Sequence, residues 1–187
     1  MQRTCRWISA EGEGLEHFTL TQTKEGFAAD GVIVSPSFGP MFTGDLSGCS
    51  YAIDCDTRWR VRRLQLHVTG GATLLLRGDG EGRWSGVNGD PCPELDGCID
   101  VDISGTPFTN TLPIRRLGAH LQQRQEIRVA YIVLPQVSVA PSNQAYTALG
   151  AGRYLFESLS DPFQAEIVTD ADGLVVDYPG LFRRLAT

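Results

Sequence analysis

A chain of 187 residues, 42% hydrophobic and 20% charged, is long enough to bury its own core and short enough for a single domain, 1–187. Its net charge of −6 disfavours the phosphate-rich partners that need a basic field, so neither nucleic acid nor an anionic membrane surface is expected. The longest apolar run, VAYIVLP at 129–135, is less than half a membrane span; MQRTCRWISAEGEG at the start lacks the apolar core of a secretory signal, and a cytoplasmic protein is expected.

Turn residues recur about every eight to twelve positions, the rhythm of an all-β chain. EHFTLTQT, FAADGVIV and SYAIDCD read as strands, separated by KEG and the loop SPSFGP. TRWRVRRLQLHV continues the series, and GG opens TLLLRG. Within it, Trp59 and Val61 are apolar on one parity, whereas Leu64, Leu66 and Val68 are apolar on the other. A period of two cannot change phase without an extra residue, so a bulge or sharp bend is expected near Arg62-Arg63. GDGEG is a hairpin loop before RWSGV, because no helix follows it to cradle a phosphate.

After NGDPCPELDG comes CIDVDIS, in which Ile99, Val101 and Ile103 share one face and Asp100 and Asp102 the other. Residues two apart on a strand lie about 7 Å apart, near the carboxyl separation of an inverting glycosidase. Both carboxylates point the same way, however, where a glycosidase needs them on opposite sides of a sugar. Arg58, Arg60 and Arg62 also share a parity, and cross-strand pairing would satisfy both rows.

The stretch TPFTNTLPIRRLG predicts one short helix over 106–117. Thr106 can cap it, and Pro107 fits its first position. Pro113 requires a kink, or a second turn starting from Thr111 and Leu112, and Gly118 ends the helix. Phe108, Leu112 and Leu117 face inward, while Arg115 and Arg116 suit the C-terminal dipole. A helix this short needs burial to persist, so the sheet is expected to wrap around it.

EIRVAYIVL, QVSVAP, YTALGAGRYLFESL, FQAEIVT and GLVVDY return to strand patterns, with Asp172-Gly173 as a hairpin turn. The tail DYPGLFRRLAT is amphipathic, and either docks as a terminal helical turn or meets a second subunit. Cys5, Cys49, Cys55, Cys92 and Cys98 read as free thiols, because both C-x5-C spacings exceed a zinc-knuckle bite. His17, His67 and His120 are scattered, and no G-x-S-x-G elbow occurs. No metal, cofactor or catalytic residue is implied.

The runs DCDTRWRVRRLQL, LDGCIDVDISGTPFTNTLPIRRLG and GLVVDYPGLFRRL resemble a bacterial family described as "putative glycolipid-binding" proteins. Weaker similarity covers Gly14-Leu15-Glu16-His17 and Tyr146 to Ser158, so the likeness spans nearly the whole chain. The resemblance implies a spiral β-roll, one long curled antiparallel sheet wound around a single helix, and a homodimer. It also implies a lipid-like ligand, by structural similarity to the periplasmic carriers of lipoproteins. Arg58, Trp59, Asp100, Asp102, Thr106, Asn110, Arg115, Arg116, Asp177, Tyr178, Pro179 and Gly180 match its signature.

The leading expectation is a non-enzymatic protein holding a glycolipid or other amphiphile inside the curled sheet. Its candidate binding residues are Arg58, Trp59, Arg60, Asp100, Asp102, Thr106, Asn110, Arg115, Arg116 and Tyr178. An interaction protein with a filled interior is the alternative, in which Arg115 and Arg116 pair with the aspartates. A hydrolase using Asp100 and Asp102 is the third reading.

Overall fold

The computed structural model describes residues 1–10, 13–35 and 47–186; most of the predicted loop SPSFGP lies outside them. The strands are β1 (Gln2–Ser9), β2 (Leu15–Gln22), β3 (Gly26–Ser35), β4 (Ser47–Asp56), β5 (Val61–Val68), β6 (Thr73–Gly78) and β7 (Trp84–Ser85). They continue as β8 (Asp100–Ile103), β9 (Gln125–Val133), β10 (Ser138–Gly150), β11 (Arg153–Ser158), β12 (Gln164–Thr169), β13 (Val175–Tyr178) and β14 (Phe182–Arg184). Among the described residues one α-helix, α1 (Thr111–Leu117), interrupts them.

All fourteen strands join one sheet, in the order β7-β6-β5-β4-β3-β2-β1-β14-β13-β12-β11-β10-β9-β8. The chain therefore runs outward from β1 to β7 in one half and back inward from β8 to β14 in the other. The sheet is open, with β7 and β8 at its edges. Neighbours are antiparallel except β8 and β9, which run parallel because the helical segment carries the chain across between them.

The expected phase change is present. Asp54 pairs with Arg63 but Cys55 pairs with Val61, so Arg62 is the inserted residue and the apolar parity flips across it. Val61, Leu64, Leu66 and Val68 are all buried as a result. The strand predicted from Thr57 instead starts at Val61, because Asp56 turns the chain back on itself. Its Oδ1 accepts the N–H groups of Arg58 (2.9 Å) and Arg60 (3.0 Å), and Trp59 sits in the turn at φ 64°. Arg58, Arg60 and Arg62 consequently do not form one row on a strand.

QVSVAP and YTALG fuse into the single long strand β10. The tail also departs from expectation: it forms no helical turn. Tyr178 and Phe182 bracket a tight turn at Pro179-Gly180, and β14 then pairs with β1, Trp7 facing Arg184. This short strand is the seam that joins the two halves of the sheet.

The helical segment begins two residues after Thr106, as a 3-10 turn over Phe108–Asn110 leading into α1. The Thr106 hydroxyl still caps it, accepting the Phe108 N–H at 3.1 Å. Pro113 occupies the third position of α1, where its missing N–H has no intrahelical partner to lose. Phe108 and Leu112 are fully buried, whereas Leu117 is half-buried. Phe108 and Leu112 belong to the main core, which also holds Leu64 and Leu66 from one half of the sheet and Val101, Ala130 and Ile132 from the other. Ile114 belongs to a second cluster, with Tyr146, Phe156, Ile167, Val175 and Tyr178.

Candidate functional site

Residues 105–114 are all buried, although the segment carries four hydroxyl or amide side chains, and each finds a partner. The Thr109 hydroxyl donates to Asp102 Oδ1 at 2.9 Å, and Gln144 of β10 donates to Oδ2 at 2.6 Å. The Tyr146 hydroxyl donates to Asn110 Oδ1 at 2.9 Å, and Thr111 donates to the Gly173 carbonyl, also at 2.9 Å. Burying such groups unpaired costs about 1–3 kcal/mol each, so these bonds fix how the helix sits between the halves.

Asp100 and Asp102 leave their common strand in different company. Arg116 grips Asp100 with both arms of its guanidinium, Nε to Oδ1 at 3.0 Å and Nη2 to Oδ2 at 2.5 Å. Burial pushes the Asp100 carboxyl up, and the guanidinium pulls it back. Asp102 is pushed up by the same cause, relieved by Gln144 and Thr109 rather than by a cation. The cross-strand pairing with Arg58, Arg60 and Arg62 does not occur: Arg60 and Arg62 turn to Asp56, and Arg60 also to Glu81. Arg115 lies over the Trp59 ring, 5.3 Å from its centroid, and Trp59 stacks on Phe27. Tyr178 is buried in the second cluster with Tyr146 and Ile114, and its hydroxyl is pushed up by burial and by the nearby Asp102 charge.

A third buried acid stands outside the ten candidate binding residues. Glu16 of β2 is 3% exposed. Its Oε1 accepts hydrogen bonds from the Tyr51 hydroxyl (2.6 Å) and the Thr106 hydroxyl (2.9 Å), while Oε2 has no partner among the described residues. Burial without a cation pushes this carboxyl up to about 8, so it is protonated at neutral pH. The two hydroxyl donors favour the charged form, but they do not offset the cost of burial. Tyr51 reaches Glu16 by lying over Gly31, where a Cβ would fall 2.3 Å from the ring. The signal for Glu16 was its parity with Phe18 and Leu20, which face the core.

A cleft of about 660 Å³ runs along β1, β14 and the β12–β13 hairpin. Cys5 and Leu174, which line it, are buried members of the main core. Its charged lining consists of two ion pairs, Arg3 Nε to Asp172 Oδ2 and Arg184 Nη1 to Asp170 Oδ2, both 2.6 Å, and Thr4 adds a hydroxyl side chain. Asp170 Oδ1 accepts the N–H groups of Asp172 and Leu174 at 3.0 Å, which holds the hairpin loop in shape. Cys5, 3.8 Å from Arg184, has its thiol pushed up by burial despite that neighbour. None of the ten residues expected from the sequence lines this cleft. Its two halves, near positions 3–5 and 170–186, are brought together by the β1–β14 seam.

All five cysteines are free. Among the described residues no His, Cys, Asp and Glu gather as a metal-binding group, and no helix is long and apolar enough to cross a membrane.

The family model described as "Putative glycolipid-binding" matches residues 4–184. A crystal structure of a DUF1089 family protein from Pseudomonas aeruginosa superposes with a TM-score of 0.81. It is 39% identical, over 91% of this chain and 92% of its own. No curated protein matches the chain.

Proposed function

The chain belongs to that glycolipid-binding family, and from this premise we propose that it is a non-enzymatic binding protein for an amphiphile, with a glycolipid as the guest. The cleft is the observation that carries the reading. A volume of about 660 Å³ falls within the roughly 300–1,000 Å³ of small-molecule sites, and such sites combine apolar walls with a few fixed polar groups. Here Leu174, Val176 and Leu185 supply apolar wall, and the Arg–Asp pairs supply fixed polar groups.

The surroundings of the helix favour a structural role for the residues gathered there. Asp100, Asp102, Thr106, Asn110 and Arg116 each bond to protein groups, and Phe108 and Leu112 fill the space between the halves. The guest therefore belongs in the cleft, and the buried polar network belongs to the fold. A filled interior of this kind also supports the second reading, an interaction protein without a ligand. The homodimer expected from the resemblance stays part of the proposal; sedimentation at micromolar concentration tests it.

Native mass spectrometry of protein purified without detergent separates the two readings. The binding reading expects a co-purifying lipid, or uptake of one from glycolipid-containing vesicles. Protein that carries no lipid and takes none up leaves the interaction reading standing instead.

A further inference from the structure

The charge balance of the cleft narrows what its guest can be. The polar lining carries two guanidinium groups, Arg3 and Arg184, and two carboxylates, Asp170 and Asp172, each paired with one of the other sign. An incoming phosphate or sulfate that reached either arginine would meet a guanidinium already neutralised by a carboxylate and would sit close to that second anion. Nothing in the lining offsets that repulsion, because its formal charge is zero.

A hydroxyl group meets no such obstacle, since each one both donates and accepts. Arg184 uses only Nη1 towards Asp170 and Cys5 among the described residues, and Arg3 uses only Nε towards Asp172. The remaining N–H groups of both forks can donate to hydroxyl oxygens while the pairs stay intact. The carboxylates, held by their arginines and by the hairpin amides, have lone pairs for hydroxyl protons.

We infer that the cleft takes an uncharged polyol head, a neutral sugar, with its alkyl chain against Leu174, Val176 and Leu185. This rests on the binding function proposed above and names the head-group class and the residues that read it. Arg3 is the more exposed of the two arginines, and the two aspartates are about equally exposed.

The test titrates the full chain with octyl β-D-glucoside and octyl sulfate, both below their micelle concentrations. Trp7 reports binding by fluorescence, because it is buried directly across the β1–β14 pair from Arg184. The glucoside is expected to bind saturably and the sulfate at least tenfold more weakly. Asp172→Asn removes one negative charge from a side chain 29% exposed and leaves the turn's backbone bonds in place. It is expected to weaken the glucoside several-fold and to tighten the sulfate. Sulfate binding as tight as glucoside binding in the unmodified protein overturns the neutral-head inference and leaves the binding function intact. Glucoside binding unchanged in both Asp172→Asn and Arg3→Gln overturns the location. A chain that binds neither probe overturns the inference, and the binding function falls with it only where the chain also takes up no lipid from glycolipid-containing vesicles.

Discussion

Asp100 and Glu16 lie at opposite ends of the same buried segment, and the fold accommodates them in opposite ways. Asp100 keeps company with a bidentate guanidinium and is held as half of an ion pair. Glu16 has two hydroxyl donors, no cation and one oxygen without a partner among the described residues, and is held as a neutral acid. The contrast shows that burial alone does not decide the state of a carboxyl; the partner does. It also divides the segment into an end sensitive to the loss of a partner and an end sensitive to pH.

The largest effect is expected at the paired end. Asp100→Ala leaves the Arg116 guanidinium, only 14% exposed, without its counter-ion, and should cost about 3–5 kcal/mol in urea unfolding. Arg116→Met should cost a similar amount by stranding Asp100. Combining Asp100→Leu with Arg116→Met is expected to recover most of the loss, since an apolar pair needs no charge compensation. A double variant as unstable as either single one would mean that the pair also fixes the register of the helix.

At the other end the expected effect is a slope with pH. The folded carboxyl of Glu16 is raised to about 8 from an ordinary value of 4.5, so the folded state holds a proton that the unfolded state releases. Its contribution to stability is complete below about pH 4.5 and is lost as the pH rises through about 8. Within that window stability should fall by about 1.4 kcal/mol per pH unit from this group alone. Glu16→Gln keeps an acceptor for Tyr51 and Thr106 but cannot ionise. Urea midpoints measured from pH 5 to 8 should therefore fall less steeply for the variant. Parallel lines would place an ionised carboxylate at this position.

The two ends also differed in how far the sequence revealed them. The helix, its capping threonine and the bulge at Arg62 were legible, because each rests on local chemistry: a hydroxyl before a proline, and a parity that reverses along one strand. For Asp100 the sequence left two sets of partners open, the arginines of 58–62 across strands or Arg115 and Arg116 of the helix, and for Glu16 it offered none. Asp100 finds Arg116 across a helical turn rather than Arg60 across strands, since Asp56 captures Arg60 first. Glu16 meets Thr106 across 90 residues, and no periodicity encodes that. The tail misled for a local reason. Its spacing of apolar and basic residues suits a helical turn, but Pro179-Gly180, with Gly180 at φ 77°, makes a reversal that sends Phe182–Arg184 back as a strand.

Gly31 sharpens the comparison from the neutral end. Gly31→Ala would push a methyl group into the Tyr51 ring, which must then leave Glu16 or move the strand beneath it. A cost of about 1–3 kcal/mol is expected, the usual range for overpacking. The Tyr51→Phe background separates the two causes: if steric displacement dominates, the alanine costs as much there, whereas loss of the Glu16 bond would make it cheaper.

Arg115 carries the smallest expected effect and contrasts with its neighbour within one helical turn. Arg116 turns inward to a buried carboxylate; Arg115 is exposed and rests on the face of Trp59. An exposed cation over an aromatic ring contributes about 0.5–1 kcal/mol, well below the buried pair. Arg115→Met keeps an unbranched stem against the ring and removes only the charge. Its urea midpoint should therefore fall slightly, with a difference that shrinks as salt screens the attraction. A loss as large as that of Arg116→Met would show that Trp59, held in its turn at φ 64°, depends on the cation above it rather than on its stacking with Phe27.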